Sequence, residues 1–282
     1  MSGSLIVREV YVRRGLVKSG LPEYDYALNP YVGCQHGCIY CYAVDFTRGE
    51  PARNWGRVVY VKVNLPEVVA REVKVLKPGV VGLSTITDPY QPIESRYRLS
   101  RRLIEILCGA GFHVSIQTKS PLVIRDAELL ARCGSLIDVG FTITTMGEHY
   151  RVIEPNAPHP LARASALLKL SRAGVKTWIF LGPIIPGFND KPADYEPILR
   201  LAKESGSQVT IDRFRVRDWA VKMIESRLSI RPNPTRDWWL EASSRILRLC
   251  RDYGVECTTA EEEWARLRGL KRVDLSLLDW LS

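Results

Sequence analysis

The sequence predicts an α/β fold: a partial, TIM-like (β/α)6 barrel of parallel strands with a C-terminal helical extension. Three observations lead there. From about residue 26 to 216, short apolar β-branched runs alternate with longer amphipathic runs. Six such β-then-α units in series imply parallel strands joined by crossover helices. The repeat fills only about 190 residues, short of the ~250 that a closed eight-fold barrel takes.

Taken in order, strands are expected near 28–33, 80–86, 113–118, 136–144, 175–182 and 208–214, and helices near 38–46, 66–76, 95–110, 125–133, 160–173 and 192–205. "KTWIFLG" and "QVTIDRF" read as strands because β-branched and aromatic residues dominate them. In "LARASALLKLSRAG", Leu161, Ala164, Leu167 and Leu168 share a helical face, and Gly174 suits the stop just past the helix end. Residues 1–25 read as an extended lead-in, 26–217 as the barrel, and 218–282 as an extension packed on it. That extension holds a helix near 235–253, the run "GVECTT", and a short helix through Trp264 to Gly269.

Apolar residues make up 46% and charged residues 25% of the chain, an ordinary globular mix. The start lacks a signal-peptide core, and no run approaches the ~20 apolar residues of a membrane span. The expectation is a soluble, cytoplasmic monomer whose thiols stay reduced, which favours metal ligation over disulfides. A formal charge of +9 favours a polyanionic partner such as DNA or RNA. The same arginines would also serve a heat-adapted protein as surface ion pairs.

Three of seven cysteines fall in "NPYVGCQHGCIYCYA", at Cys34, Cys38 and Cys41. Three thiolates cannot close a four-ligand structural zinc site unless His36 joins them. Cys108, Cys133, Cys250 and Cys257 are scattered and offer no second pair. Three sulfurs suit an iron–sulfur cubane with one iron left open, and Gly33 and Gly37 let the backbone wrap closely. A zinc site and a chance cluster in a core loop stay open as alternatives.

The C-x3-C-x2-C spacing, with Tyr40 before the last cysteine, resembles the radical S-adenosylmethionine superfamily. "STITDPYQPIE", "QTKS", "GFTITT", "EPNAPHPLAR" and "GPIIPGFND" follow in the order seen in the spore photoproduct lyase-related, DNA photolyase-like branch. The resemblance spans roughly residues 25–215. It implies a [4Fe-4S] cluster on the three cysteines whose open iron chelates S-adenosylmethionine. One electron from an external donor would cleave that cofactor to a 5′-deoxyadenosyl radical, which abstracts hydrogen from a substrate.

The resemblance also implies cofactor contacts at Tyr40, Thr85, Lys119, Thr142, Glu154, Arg163, Gly182 and Ile184. Arg163 would hold the methionine carboxylate, with Glu154 orienting it, while Gly182, Pro183 and Ile184 would form a floor for adenine. One departure stands out. The lyase's hydrogen-donating cysteine has no counterpart, because no cysteine lies between Cys41 and Cys108 and Ser84 and Thr85 occupy that region. Tyr90 and Cys257 are the alternative donors.

Arg213, Arg215 and Arg217 alternate along the sixth strand region and so point one way. Arg96, Arg98, Arg101 and Arg102 crowd another helix, and Trp238 and Trp239 lie near Arg231 and Arg236. The substrate expected from these features is a nucleic acid or nucleotide. The alternatives are radical modification of a peptide or small metabolite, and a non-catalytic, metal- or cluster-bearing nucleic-acid-binding protein.

Overall fold

The computed structural model describes residues 4–267. The C-terminal part of the extension, including the expected helix end at Gly269, lies outside the described residues. The strands are β1 (Ile6–Val10), β2 (Val17–Lys18), β3 (Tyr26–Leu28), β4 (Tyr31–Val32), β5 (Val58–Lys62), β6 (Val80–Leu83), β7 (His113–Thr118), β8 (Ile137–Thr142), β9 (Lys176–Ile184), β10 (Gln208–Arg213) and β11 (Cys257–Thr259). The main sheet runs β11-β10-β9-β8-β7-β6-β3-β2. Every neighbouring pair in it is parallel except β2 with β3. The six expected strands therefore stand side by side in chain order, and "GVECTT" adds a further parallel strand to the sheet itself.

The elements depart from the sequence reading in several places. The first expected strand breaks at Asn29-Pro30, since proline cannot donate to a ladder. Its second half, β4, pairs with β5 in a small separate sheet ordered β1-β5-β4. The run "VVYVK" of β5 was not read as a strand, and β1 of the lead-in pairs with it. The helix expected over 38–46 shortens to Ala43–Phe46, because the preceding residues form the cysteine loop. A helix at Asp218–Leu228 was not anticipated.

Period-two alternation sorts the barrel strands into two faces. Val114, Ile116, Val139, Phe141, Ile179, Leu181, Val209 and Ile211 are buried in the main apolar core. Ser115, Gln117, Asp138, Thr142, Trp178, Phe180, Thr210 and Asp212 line an interior cavity instead. Each fully buried aliphatic contributes about 1.5–3 kcal/mol, so the sheet-to-helix layer carries the stability and the inner face is left for polar work.

Two strand glycines build the cavity floor. A Cβ at Gly82 would sit 2.5 Å from the Tyr24 ring, and one at Gly140 would sit 2.2 Å from the Trp178 ring. Both aromatic rings thus lie flat on a strand backbone that only glycine permits. Asp138 ties the floor together, accepting hydrogen bonds from Ser115 Oγ at 2.8 Å and Trp178 Nε1 at 2.6 Å. His113 Nε2 lies 2.6 Å from the other Asp138 oxygen.

The four scattered cysteines correct the expectation of reduced thiols. Cys108 is bonded to Cys133, and Cys250 to Cys257. The first bridge joins helices Leu99–Gly109 and Ala127–Cys133, and the second joins helix Arg236–Tyr253 to β11. Among the described residues, no helix is long and apolar enough to cross a membrane.

Candidate active site

Cys34, Cys38 and Cys41 keep free thiols on the loop after β4, and all three line the interior cavity of about 520 Å³. The loop's shape depends on its glycines. Gly33 has φ 84°, and a Cβ there would meet the Val58 carbonyl oxygen at 2.4 Å. Gly37, at φ 60°, packs against the Gly56 Cα.

Side chains from two other quoted motifs brace this loop, and sequence reasoning did not single them out. Thr87 Oγ1 donates to the Gly33 carbonyl at 2.6 Å, and Gln91 Nε2 donates to the same oxygen at 3.2 Å. Gln91 Oε1 accepts from Gln35 N at 2.9 Å, while Asn156 Nδ2 donates to the Gln35 carbonyl at 3.0 Å. The residues stand in "TDPYQPIE" and "EPNAP", but only the fold shows that both runs converge on one loop.

His36 is buried, with Nδ1 3.3 Å from Asp88 Oδ2. Asp88 also accepts from Lys119 N at 2.8 Å and Thr118 Oγ1 at 2.7 Å. Burial works to raise the Asp88 carboxyl, but His36 and these donors outweigh it and hold the pKa at about 2. His36 Nδ1 is thereby committed to a carboxylate, and among the described residues no three His, Cys, Asp or Glu side chains close on a single metal ion. Burial pushes the Cys34 thiol well up and the Cys38 thiol to about 12. A bound cation is what turns such thiols into thiolates.

The expected cofactor-binding residues separate into two groups. Tyr40, Thr85, Lys119, Thr142 and Gly182 line the cavity with the three cysteines. Lys119 Nζ lies over the Tyr40 ring, 5.5 Å from its centre. Desolvation disfavours its ammonium, yet Cys38 and Glu154 more than compensate and its pKa is raised. Thr142 Oγ1 accepts from Gln117 Nε2 at 3.0 Å.

Glu154, Arg163 and Ile184 lie behind that wall, fully buried. Arg163 donates to Glu154, to the Pro158 carbonyl at 2.9 Å and to the Thr142 carbonyl at 3.1 Å. The other Glu154 oxygen accepts from the Tyr40 phenol and from Thr144 Oγ1 at 3.0 Å. Arg163 thus spends its donors on protein groups, and Ile184 belongs to the apolar core.

Both expected hydrogen donors lie elsewhere. Tyr90 is buried and donates to Asp126 at 3.1 Å, and Cys257 is in a disulfide. Tyr42, like Tyr24 and Tyr40, lines the cavity, and it donates to the Thr85 carbonyl.

Arg213, Arg215 and Arg217 do reach the cavity, each beside a carboxylate: Glu261 at 3.1 Å, Asp212 at 3.0 Å and Asp45 at 3.5 Å respectively. Arg101 instead pairs with the buried Asp126, and Arg102 with the exposed Glu67. Trp239 packs into the core and Trp238 donates to Asp190, so the tryptophan pair is no base platform.

The description "Radical SAM superfamily" matches residues 28–202 of the chain. An uncharacterized protein of Methanocaldococcus jannaschii is 34% identical over 191 residues, covering 67% of this chain and 72% of that one. An uncharacterized protein of Acidianus two-tailed virus is 32% identical over 232 residues, covering 77% and 76%. An uncharacterized Mycobacterium tuberculosis protein is 30% identical over 208 residues, covering 69% of this chain and 60% of its own length. Among solved structures, a spore photoproduct lyase variant with dinucleoside spore photoproduct superposes with TM-score 0.67 at 18% identity, covering 91% of this chain and 81% of that one. Streptococcus suis SuiB bound to S-adenosylmethionine gives TM-score 0.53 at 11% identity, covering 91% and 51%.

Proposed function

We propose that this chain, which belongs to the Radical SAM superfamily and is an enzyme of that kind, cleaves S-adenosylmethionine reductively and abstracts hydrogen from a nucleic acid or nucleotide. The observation that carries the reading is the set of three free thiols, with no fourth cysteine, facing one cavity beside Lys119, Tyr40 and Thr142. That donor set fits a cubane with one open iron. Cys34, Cys38 and Cys41 would hold it. When bound, such a cluster would supply the one-electron reduction, drawn from an external donor, that cleaves S-adenosylmethionine to methionine and a 5′-deoxyadenosyl radical.

The chain's own residues orient and enclose. Lys119 places a positive charge where thiolates and a cofactor carboxylate gather. Thr85 and Thr142 offer hydroxyls on neighbouring strand ends, and Gly182 with Pro183 leaves flat space for a ring. Glu154 and Arg163 act as positioning residues through Tyr40. The Tyr42 O–H lines the cavity, shared with the Thr85 carbonyl; giving its hydrogen atom to a substrate radical would leave a tyrosyl radical, which one electron from the external donor and one proton would restore.

The nucleic-acid assignment draws support from the +9 charge and from Arg213, Arg215 and Arg217 among the cavity-lining residues. It draws further support from the likeness in fold to a spore photoproduct lyase variant solved with dinucleoside spore photoproduct. The test uses anaerobically reconstituted protein with dithionite and S-adenosylmethionine, with and without DNA or RNA, measuring 5′-deoxyadenosine. Stimulation by nucleic acid is the expected result. Cleavage indifferent to nucleic acid would reject the substrate class and keep the chemistry. Cys38→Ala should lose iron, acid-labile sulfide and cleavage while staying folded, and cleavage retained in that variant would reject the ligand assignment.

A further inference from the structure

Among the described residues, three Phe, Tyr or Trp side chains are exposed: Tyr11, Tyr42 and Phe46. The last two also line the cavity that holds the three cysteines. Phe46 is 59% exposed and Tyr42 43%, so both rings stand where that cavity meets solvent. A lone exposed apolar ring is ordinary on a protein surface. Two rings in contact at the rim of a reaction cavity form a patch that a partner covers.

The cysteine loop itself sets the rings there. Tyr42 follows Cys41 directly, and Phe46 ends the short helix Ala43–Phe46 that comes next. Ala43 and Val44 are buried, and Thr47 Oγ1 closes the helix by donating to the Ala43 carbonyl at 2.7 Å. Tyr42 is tied down by its bond to the Thr85 carbonyl. The Tyr42 and Phe46 rings lie 6.0 Å apart between centres with 78° between their planes, the edge-to-face arrangement that their quadrupoles favour. Among the described residues no cation or other ring meets Phe46. By contrast, Arg215 sits 5.1 Å from the centre of the Trp264 ring and Lys119 sits 5.5 Å from that of Tyr40, so those cavity rings already carry a cation.

The charges around the ring select the partner. The run 42–53 holds two acids, Asp45 and Glu50, and both are paired: Arg217 Nε lies 3.5 Å from Asp45, and Arg8 lies 3.0 Å from Glu50. Arg48, two residues after Phe46, is exposed and has no ion pair among the described residues. The ring therefore stands beside an unopposed positive charge. An apolar metabolite would cover the ring and leave Arg48 unused, whereas a phosphodiester strand uses both, its bases stacking and its phosphates meeting the arginine. We propose that Phe46, propped by Tyr42, is the platform on which an unpaired base of the nucleic-acid substrate stacks at the cavity entrance, with Arg48 meeting an adjoining phosphate. This inference rests on the nucleic-acid reading above and adds where the strand is gripped. Because the ring stands at the rim, the stacked base is a neighbour of the one that reacts.

The experiment uses the full, cluster-loaded chain and anaerobic fluorescence anisotropy with two fluorescein-labelled octamers, octathymidylate and an abasic octamer with the same phosphates. The unaltered protein should prefer octathymidylate. Phe46→Leu, which keeps an exposed apolar side chain but no ring, should cut that preference by roughly 5- to 150-fold, the worth of one base on one aromatic ring. Phe46→Trp should preserve it. Arg48→Ala should weaken both octamers alike and reduce the slope of log affinity against log salt by about 0.7. Iron content and melting temperature show that each variant is folded and loaded. Equal binding of the two octamers by the unaltered protein overturns the platform and leaves the nucleic-acid reading standing. A preference unchanged in Phe46→Leu takes the stacked base off Phe46, and an unchanged salt slope in Arg48→Ala removes the phosphate contact. Failure to bind either octamer overturns both readings.

Discussion

Arg163 donates to Glu154 with neither side chain exposed to solvent. Burial alone would raise the Glu154 carboxyl, but Arg163 and then Lys119 keep it low, so the pair is a true ion pair. Tyr40 and Thr144 occupy the second Glu154 oxygen. The pair therefore fixes the ring that the cysteine loop presents to the cavity.

Removing one partner strands a buried charge. Arg163→Met is expected to cost about 3–5 kcal/mol, measured by urea unfolding of the metal-free protein. Arg163→Met combined with Glu154→Gln should cost less than the single change. A double variant at least as unstable as the single one would show that shape rather than charge governs this site.

Tyr42→Phe keeps the ring beside Cys41 but removes the O–H. Reductive cleavage of S-adenosylmethionine without substrate is expected to proceed at the unaltered rate. With a nucleic-acid substrate, the variant should consume several-fold more S-adenosylmethionine per product formed. An unchanged ratio would remove Tyr42 from hydrogen return.

The cavity floor should respond to pH through His113. Its hydrogen bond to Asp138 raises its pKa against partial desolvation. A pKa raised on folding gives stability that is fully present below the unfolded value, about 6.5, and lost as pH rises through the folded value. The stability gap between the unaltered protein and His113→Asn is therefore expected to be larger at about pH 5.5 than at about pH 9. Denaturant titrations at the two pH values measure it, and a gap that widens with pH would contradict the assignment.

The two disulfides close loops of different length. Cys108 and Cys133 are 25 residues apart, and Cys250 and Cys257 only 7. By loop-closure entropy the first is worth about 3.5 kcal/mol and the second about 2.5 kcal/mol. Cys108→Ser should lower the urea midpoint more than Cys257→Ser. Addition of a thiol reductant should move the unaltered protein towards the midpoint of the variant that combines Cys108→Ser with Cys257→Ser. A reductant with no effect on the midpoint would mean that the bridges do not stabilise the fold.

What the sequence by itself determined is what lies within a few residues along the chain. The C-x3-C-x2-C spacing, the glycines at 33 and 37, and the alternating apolar runs that became β6 to β10 are local patterns, and local sterics and side-chain period decide them. Tyr40, Thr85, Lys119, Thr142 and Gly182 were named through the resemblance of the motifs that hold them, and the fold brings all five to the cavity. Tertiary packing decided the rest. It brought Cys108 to Cys133 and Cys250 to Cys257, buried Arg163 against Glu154 behind Tyr40, and set β1 beside β5. It laid Tyr24 on Gly82 and joined Glu23 to Trp264 across most of the chain. Those contacts link residues that no short window contains, and they form only once burial of apolar surface has brought distant segments of the chain together.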